Sequence, residues 1–111
     1  MVRRSYLGEL EMIVLLAVVR LGDDAYGVPI SKELLILANR EVSVGSIYAA
    51  LDRLESKGFV SSSLGDPTPE RGGRAKRYFR VTSNGVRALK MTRTALTKLW
   101  SDMPMLQRGD L

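Results

Sequence analysis

Cysteine and histidine are both absent from the 111 residues. Without cysteine there is no disulfide framework and no thiolate site, which suits a reducing, cytoplasmic setting. With histidine missing as well, the Cys/His metal sites, the cysteine nucleophile and every histidine-dependent triad or proton shuttle are excluded. Long hydrophobic runs are also lacking. The longest, Met12 to Val19, falls far short of the roughly 20 apolar residues of a membrane span, and no small-residue cleavage site follows it. It reads as a buried helix face, with no membrane partner. There is no glycine loop followed by lysine and a hydroxyl to cradle a nucleotide. Catalysis would therefore need paired carboxylates, yet Glu9, Glu11, Asp23, Asp24, Glu33, Glu41, Asp52 and Glu55 fall mostly on expected solvent faces or helix caps. No catalytic residue, no cofactor and no metal site is expected.

What is present is the balance of an ordinary folded protein, 45% hydrophobic and 26% charged, at the size of one modest core. The formal charge of +5 is unevenly spread: residues 1 to 64 are net −1, residues 65 to 93 net +6, and the remainder net zero. A basic segment beside near-neutral surroundings is the footprint of a surface that meets nucleic acid.

Hydrophobic periodicity gives the elements. Gly8 to Leu21 predicts a helix apolar around nearly its whole circumference, so that more than one side must be covered. A second helix begins between Asp24, a possible cap, and Gly27, and runs through Ile30, Leu34 and Leu37, with Pro29 in its first turns. Ser43 caps a third, in which Ile47, Leu51 and Leu54 recur at i, i+4 and i+7 before Gly58 closes it. Its other face holds the short side chains of Ser46, Ala49 and Ala50, with Arg53. Phe59 to Leu64 and Arg77 to Thr82 read as strands of a hairpin whose long tip is basic and glycine-rich. Ser83 or Asn84 then caps a last helix. In it Leu89, Leu96 and Met103 recur every seven residues beside Leu99, the spacing of a helix packed lengthwise on another, until Pro104 bends or ends it.

Three helices, a hairpin and a trailing helix predict a mainly α fold with a small β-hairpin: a winged helix-turn-helix domain over 1–82 and a dimerisation helix and tail over 83–111, forming one structural unit. In such a unit the third helix enters the major groove of double-stranded DNA, and the basic hairpin follows the neighbouring backbone or minor groove.

The chain resembles the PadR family of transcriptional regulators over almost its whole length. The resemblance rests on Leu-Gly-Glu-Leu-Glu at 7 to 11, Tyr26-Gly27 with Ile30, and Ser43-Val44-Gly45-Ser46-Ile47-Tyr48 followed by Leu51, Arg53, Leu54 and Glu55. Gly58 follows, then Arg71-Gly72-Gly73-Arg74 with Lys76, Arg77, Tyr78 and Phe79. It implies a homodimeric repressor of the short class, binding a palindromic operator. It places Ser43, Val44, Gly45, Ser46, Tyr48 and Ala49 at or near DNA, with the Tyr48 hydroxyl on a phosphate; the other reading of Tyr48 is a half-buried core side chain. It makes Arg71, Gly72, Gly73, Arg74, Lys76 and Arg77 the wing contacts, chiefly to phosphate and sugar. Dimerisation falls to Leu7, Met12, Leu89, Leu96, Leu99 and Met103. Some members bind flat apolar compounds between subunits against an aromatic of the C-terminal helix, so Trp100 is the candidate for a small apolar effector, simple packing being the alternative. Pro29 departs from the family pattern. So does the absence of Asn, Gln or Arg at the start of the third helix, which moves sequence preference toward methyl contacts, water and DNA shape. The competing reading is a winged-helix module whose basic hairpin meets an acidic protein, with no specific DNA readout.

Overall fold

The computed structural model describes residues 7–65 and 76–107. Its elements are α1 (Glu9–Leu21), a 3-10 turn (Gly22–Asp24), α2 (Gly27–Ala38), α3 (Val44–Ser56), β1 (Val60–Leu64), β2 (Arg77–Val81), α4 (Ser83–Trp100) and a short α5 (Pro104–Gln107). The two strands pair antiparallel, Val60 opposite Val81 through Leu64 opposite Arg77. The architecture is thus the mainly α, winged helix-turn-helix arrangement that the order of elements predicts.

One core joins these pieces. Val14, Leu15, Ala17 and Val18 of α1 meet Ile30 and Leu34 of α2, the Ile47, Leu51 and Leu54 stripe of α3, and Phe59, Val60 and Phe79 of the hairpin. Ala50 is fully buried here as well, so it belongs to the core side of α3 and not to the outward face. Strand alternation turns Phe79 inward, and its N–H donates to the Ala25 carbonyl at 2.9 Å, pinning the hairpin to the turn after α1.

Local chemistry explains the boundaries. Tyr26, not Asp24, occupies the N-cap of α2, and Asp24 lies in the preceding 3-10 turn. Pro29 is harmless because it stands in the first turn: the bond from the Ile30 N–H to the Tyr26 carbonyl comes after it, and earlier N–H groups have no helical acceptor. At the end of α3, Gly58 takes φ +78°, its N–H donating to Glu55 O and that of Phe59 to Leu54 O. This is the six-to-one and five-to-two pairing of a glycine-terminated helix. The cap of α4 is Thr82, one residue before Ser83 and two before Asn84, the two expected caps. Its Oγ1 accepts from the Gly85 N–H at 3.1 Å and donates to the Gly58 carbonyl at 2.6 Å, so one side chain ties α4 to the end of α3.

The expectation for the last helix needs a correction. α4 ends at Trp100, where Ser101 turns extended and Asp102 takes φ +58°. Met103 therefore does not continue the row of Leu89 and Leu96. Pro104 disfavours a helical Met103 and opens α5 instead. Along α4 only Gly85 is buried. The Cα radius of gyration, 16.1 Å, exceeds the roughly 13 Å of a compact chain this long, because most of α4 reaches past the core. On α1, likewise, Leu16 and Val19 are 44% and 45% exposed. Among the described residues, the second apolar side of that helix is left partly open.

No helix among the described residues is long and apolar enough to cross a membrane.

Candidate nucleic-acid interface

The start of α3 is presented outward by its cap. Ser43 Oγ accepts from the Ser46 N–H at 3.1 Å and donates to Ser46 Oγ at 3.0 Å, so the two serines brace one another. Ser43, Val44, Gly45, Ser46 and Ala49 are all exposed, forming a low surface without long side chains. Tyr48 is half-buried. Its ring centroid lies 6.1 Å from that of Phe79, and its Oη accepts the Gly27 N–H at 3.3 Å, satisfying one orphan donor at the start of α2. Tyr48 thus packs α2 against α3. The proton of its hydroxyl is not used in that bond.

The wing packs against the C-terminal half of the same helix. Its strands close where the Gly65 N–H donates to the Lys76 carbonyl at 2.7 Å. Lys76 Nζ sits 4.7 Å from the Tyr26 ring centroid and 3.4 Å from its hydroxyl. Arg77, expected on phosphate, is turned inward, Nη1 to Asp52 Oδ1 at 3.1 Å and Nη2 to Glu55 Oε1 at 2.8 Å. Arg71, Gly72, Gly73 and Arg74 lie outside the described residues.

The basic segment is continuous in sequence and divided in space. Lys76, Arg77 and Arg80 belong to the hairpin, where Arg80 pairs with Asp23 at 3.0 Å. Arg87, Lys90 and Arg93 belong to α4, and the last two line a separate groove.

Glu11 is the residue that sequence reasoning misplaced. It was expected on a solvent face or cap, and it is 5% exposed. One oxygen accepts from the Gly8 N–H at 2.9 Å and from Lys57 Nζ at 2.8 Å, the other from Arg53 Nε at 3.1 Å. Burial pushes the Glu11 carboxyl up, but the Lys57, Gly8 and Arg53 hydrogen bonds and the Lys57 charge outweigh it and hold the pKa below the ordinary 4.5. The carboxylate therefore joins α1 to the C-terminal half of α3. The available signal was its place between Leu7 and Leu15 at i±4, a row otherwise apolar.

Between α1 and α4 runs an open groove of about 740 Å³, lined by Met12, Leu16, Val19, Val86, Leu89, Leu96 and Trp100 with Lys90 and Arg93 at its edge. Of the six expected dimerisation residues, Met12, Leu89 and Leu96 meet in this groove, and Trp100 joins them. Leu7 and Leu89 also pack against the chain's own core. Leu99 and Met103, 72% and 37% exposed, stand outside the lining. Among the described residues, no cluster of three or more potential metal ligands occurs.

Comparison with known proteins agrees with this geometry. A family model described as the transcriptional regulator PadR-like family matches residues 15–91. An uncharacterized protein of Lysinibacillus sphaericus is 33% identical over 106 residues, covering 93% of this chain and 89% of that one. A transcriptional regulator from Clostridium thermocellum superposes with a TM-score of 0.67 at 26% identity, over 80% of this chain and 83% of its own. A PadR family transcriptional regulator from Eggerthella lenta gives 0.68 at 25% identity, over 92% and 88%.

Proposed function

The chain belongs to the PadR-like family of transcriptional regulators, and we propose that it fills this role as a homodimeric repressor that reads a two-fold-symmetric operator. The family's members are regulators and not enzymes. The observation that carries the reading is the exposed, small-residue start of α3, braced by Ser43 and Ser46; the sequence between the two strands adds Arg71 and Arg74. Side chains this short let the helix sink deeply into a major groove, where Val44 and Ala49 meet thymine methyls and Ser46 meets base edges. The wing cations Arg71, Arg74 and Lys76 add phosphate attraction, which sets register and salt dependence without specifying sequence.

The open apolar groove between α1 and α4 supports the dimer. Leu16, Val19, Leu96 and Trp100 remain substantially exposed in the single chain, and a second copy of α4 offers the matching apolar surface. Leu99 and Met103 add to that surface. In the proposed dimer a two-fold axis relates the two α3 helices, which would occupy successive major grooves about one helical turn apart. Repression follows by occlusion of promoter elements. A small apolar effector fits the same groove against Trp100, where it would alter the angle between the two copies.

Selection of bound duplexes from a random DNA pool tests this. A two-fold-symmetric motif, bound far more tightly than bulk DNA and with a steep salt dependence, is the expected result. No enrichment, with binding flat against salt, contradicts it and favours an acidic protein as the partner of the wing.

A further inference from the structure

A basic residue next to the tip of a DNA-facing hairpin reads first as a phosphate contact, but Arg77, paired with Leu64 at the tip end of the strands, is held by the protein itself on several sides. Its guanidinium forks between Asp52 and Glu55 at 3.1 and 2.8 Å. Its central carbon lies 4.9 Å from the centroid of the Phe79 ring, two residues along the same strand. Glu55 also accepts the Ser62 hydroxyl at 2.7 Å, through its second oxygen. Ser62 belongs to β1 and Arg77 to β2, so a single carboxylate on α3 grips both strands of the wing. The pairing also has an electrostatic side. Asp52 and Glu55 are two negative charges on the helix assigned to the major groove, where phosphates would repel them, and Arg77 offsets one of the two.

We propose that Arg77 is a positioning residue, which locks the wing to the recognition helix and masks the carboxylates of Asp52 and Glu55, and is not itself a phosphate contact. The inference rests on the DNA-reading function above. In this arrangement the angle between α3 and the wing is set before DNA arrives. Both can then engage one operator half-site without a further ordering cost. Lysine cannot replace arginine here, because one ammonium does not reproduce a planar fork spanning two carboxylates.

The two roles predict opposite signs. If Arg77 were a phosphate contact, the double variant Asp52→Ala/Glu55→Ala would remove two repulsive charges and release a cation, tightening binding to every duplex. The clamp predicts that this variant loses about tenfold in operator affinity while its affinity for an unrelated duplex of equal length holds or rises. The specific-to-non-specific ratio therefore falls. Arg77→Lys keeps the charge and perturbs the fold least. The clamp predicts the same fall in ratio, whereas a phosphate contact would tolerate lysine. Each variant is measured as the full chain by fluorescence anisotropy on both duplexes, with helical content checked by circular dichroism. Operator binding by the double variant that equals or exceeds wild type, or a wild-type ratio in Arg77→Lys, overturns the proposal. A wild-type chain that binds both duplexes alike overturns the DNA reading beneath it, a separate result obtained before any variant is made.

Discussion

Replacing Glu11 with glutamine isolates the tie between α1 and α3. The amide keeps one carbonyl oxygen for Gly8 and Lys57 but turns an N–H2 toward the Arg53 Nε–H, donor against donor, and removes both ion pairs. Breaking a fully buried ion pair costs about 3–5 kcal/mol. Here only Glu11 is well buried, its side chain 7% exposed, while those of Arg53 and Lys57 are 52% and 30% exposed. Water screens the partners, and the loss reduces to about 1–3 kcal/mol, a fall in Tm of roughly 4–13 °C for a domain of this size. The pH dependence carries its own sign. The folded pKa of Glu11 lies below 4.5, so the ionised carboxylate stabilises the fold fully above that value, and the contribution disappears as pH falls through the folded pKa. The gap between wild type and Glu11→Gln should therefore be full at pH 7 and shrink in acid. Thermal and urea unfolding followed by circular dichroism, at neutral and at acidic pH, measure it. A gap smaller than about 0.5 kcal/mol at pH 7, or one equally large on both sides of the transition, would refute the reasoning.

Gly85→Ala should destabilise the protein despite the better helix propensity of alanine, worth about 1 kcal/mol. A Cβ there would collide with the Phe59 carbonyl oxygen and stand 2.8 Å from a Val81 methyl; the net loss, about 1–2 kcal/mol, is read from the urea midpoint. Leu16→Glu should leave the monomer's unfolding within about 0.5 kcal/mol of wild type, because the site is half exposed, yet abolish the dimer in sedimentation, since its charge would be buried in the contact. Arg74→Ala should lower the slope of log affinity against log salt by about 0.9; an unchanged slope removes that residue from the phosphate contacts.

How far the fold could be read in advance depended on whether the deciding chemistry was local. α3 was legible at both ends because Ser43, the Ile47, Leu51 and Leu54 stripe and Gly58 are each sufficient within a few residues. The cap of α4 was misread by one or two positions, since Thr82, Ser83 and Asn84 all carry capping chemistry. The choice among them is made by the Gly58 carbonyl, 24 residues away. The seven-residue row of α4 was extended past the helix end, although Pro104 constrains Met103 and already argued for an earlier stop. The site was half legible. Ser43, Val44, Gly45, Ser46 and Ala49 are exposed as expected while Ala50 faces the core, but the roles of Glu11 and Arg77 depend on partners 42, 46, 25 and 22 positions distant. Charge type alone suggested solvent for one and phosphate for the other.

In the proposed complex two copies of α3 occupy successive major grooves of one operator. Methylation protection of guanine N7 on the selected duplex tests it most directly, because N7 lies only in the major groove. Two protected clusters, symmetric about the motif's centre and about one helical turn apart, are expected. A single cluster, or undiminished methylation under saturating protein, would contradict it.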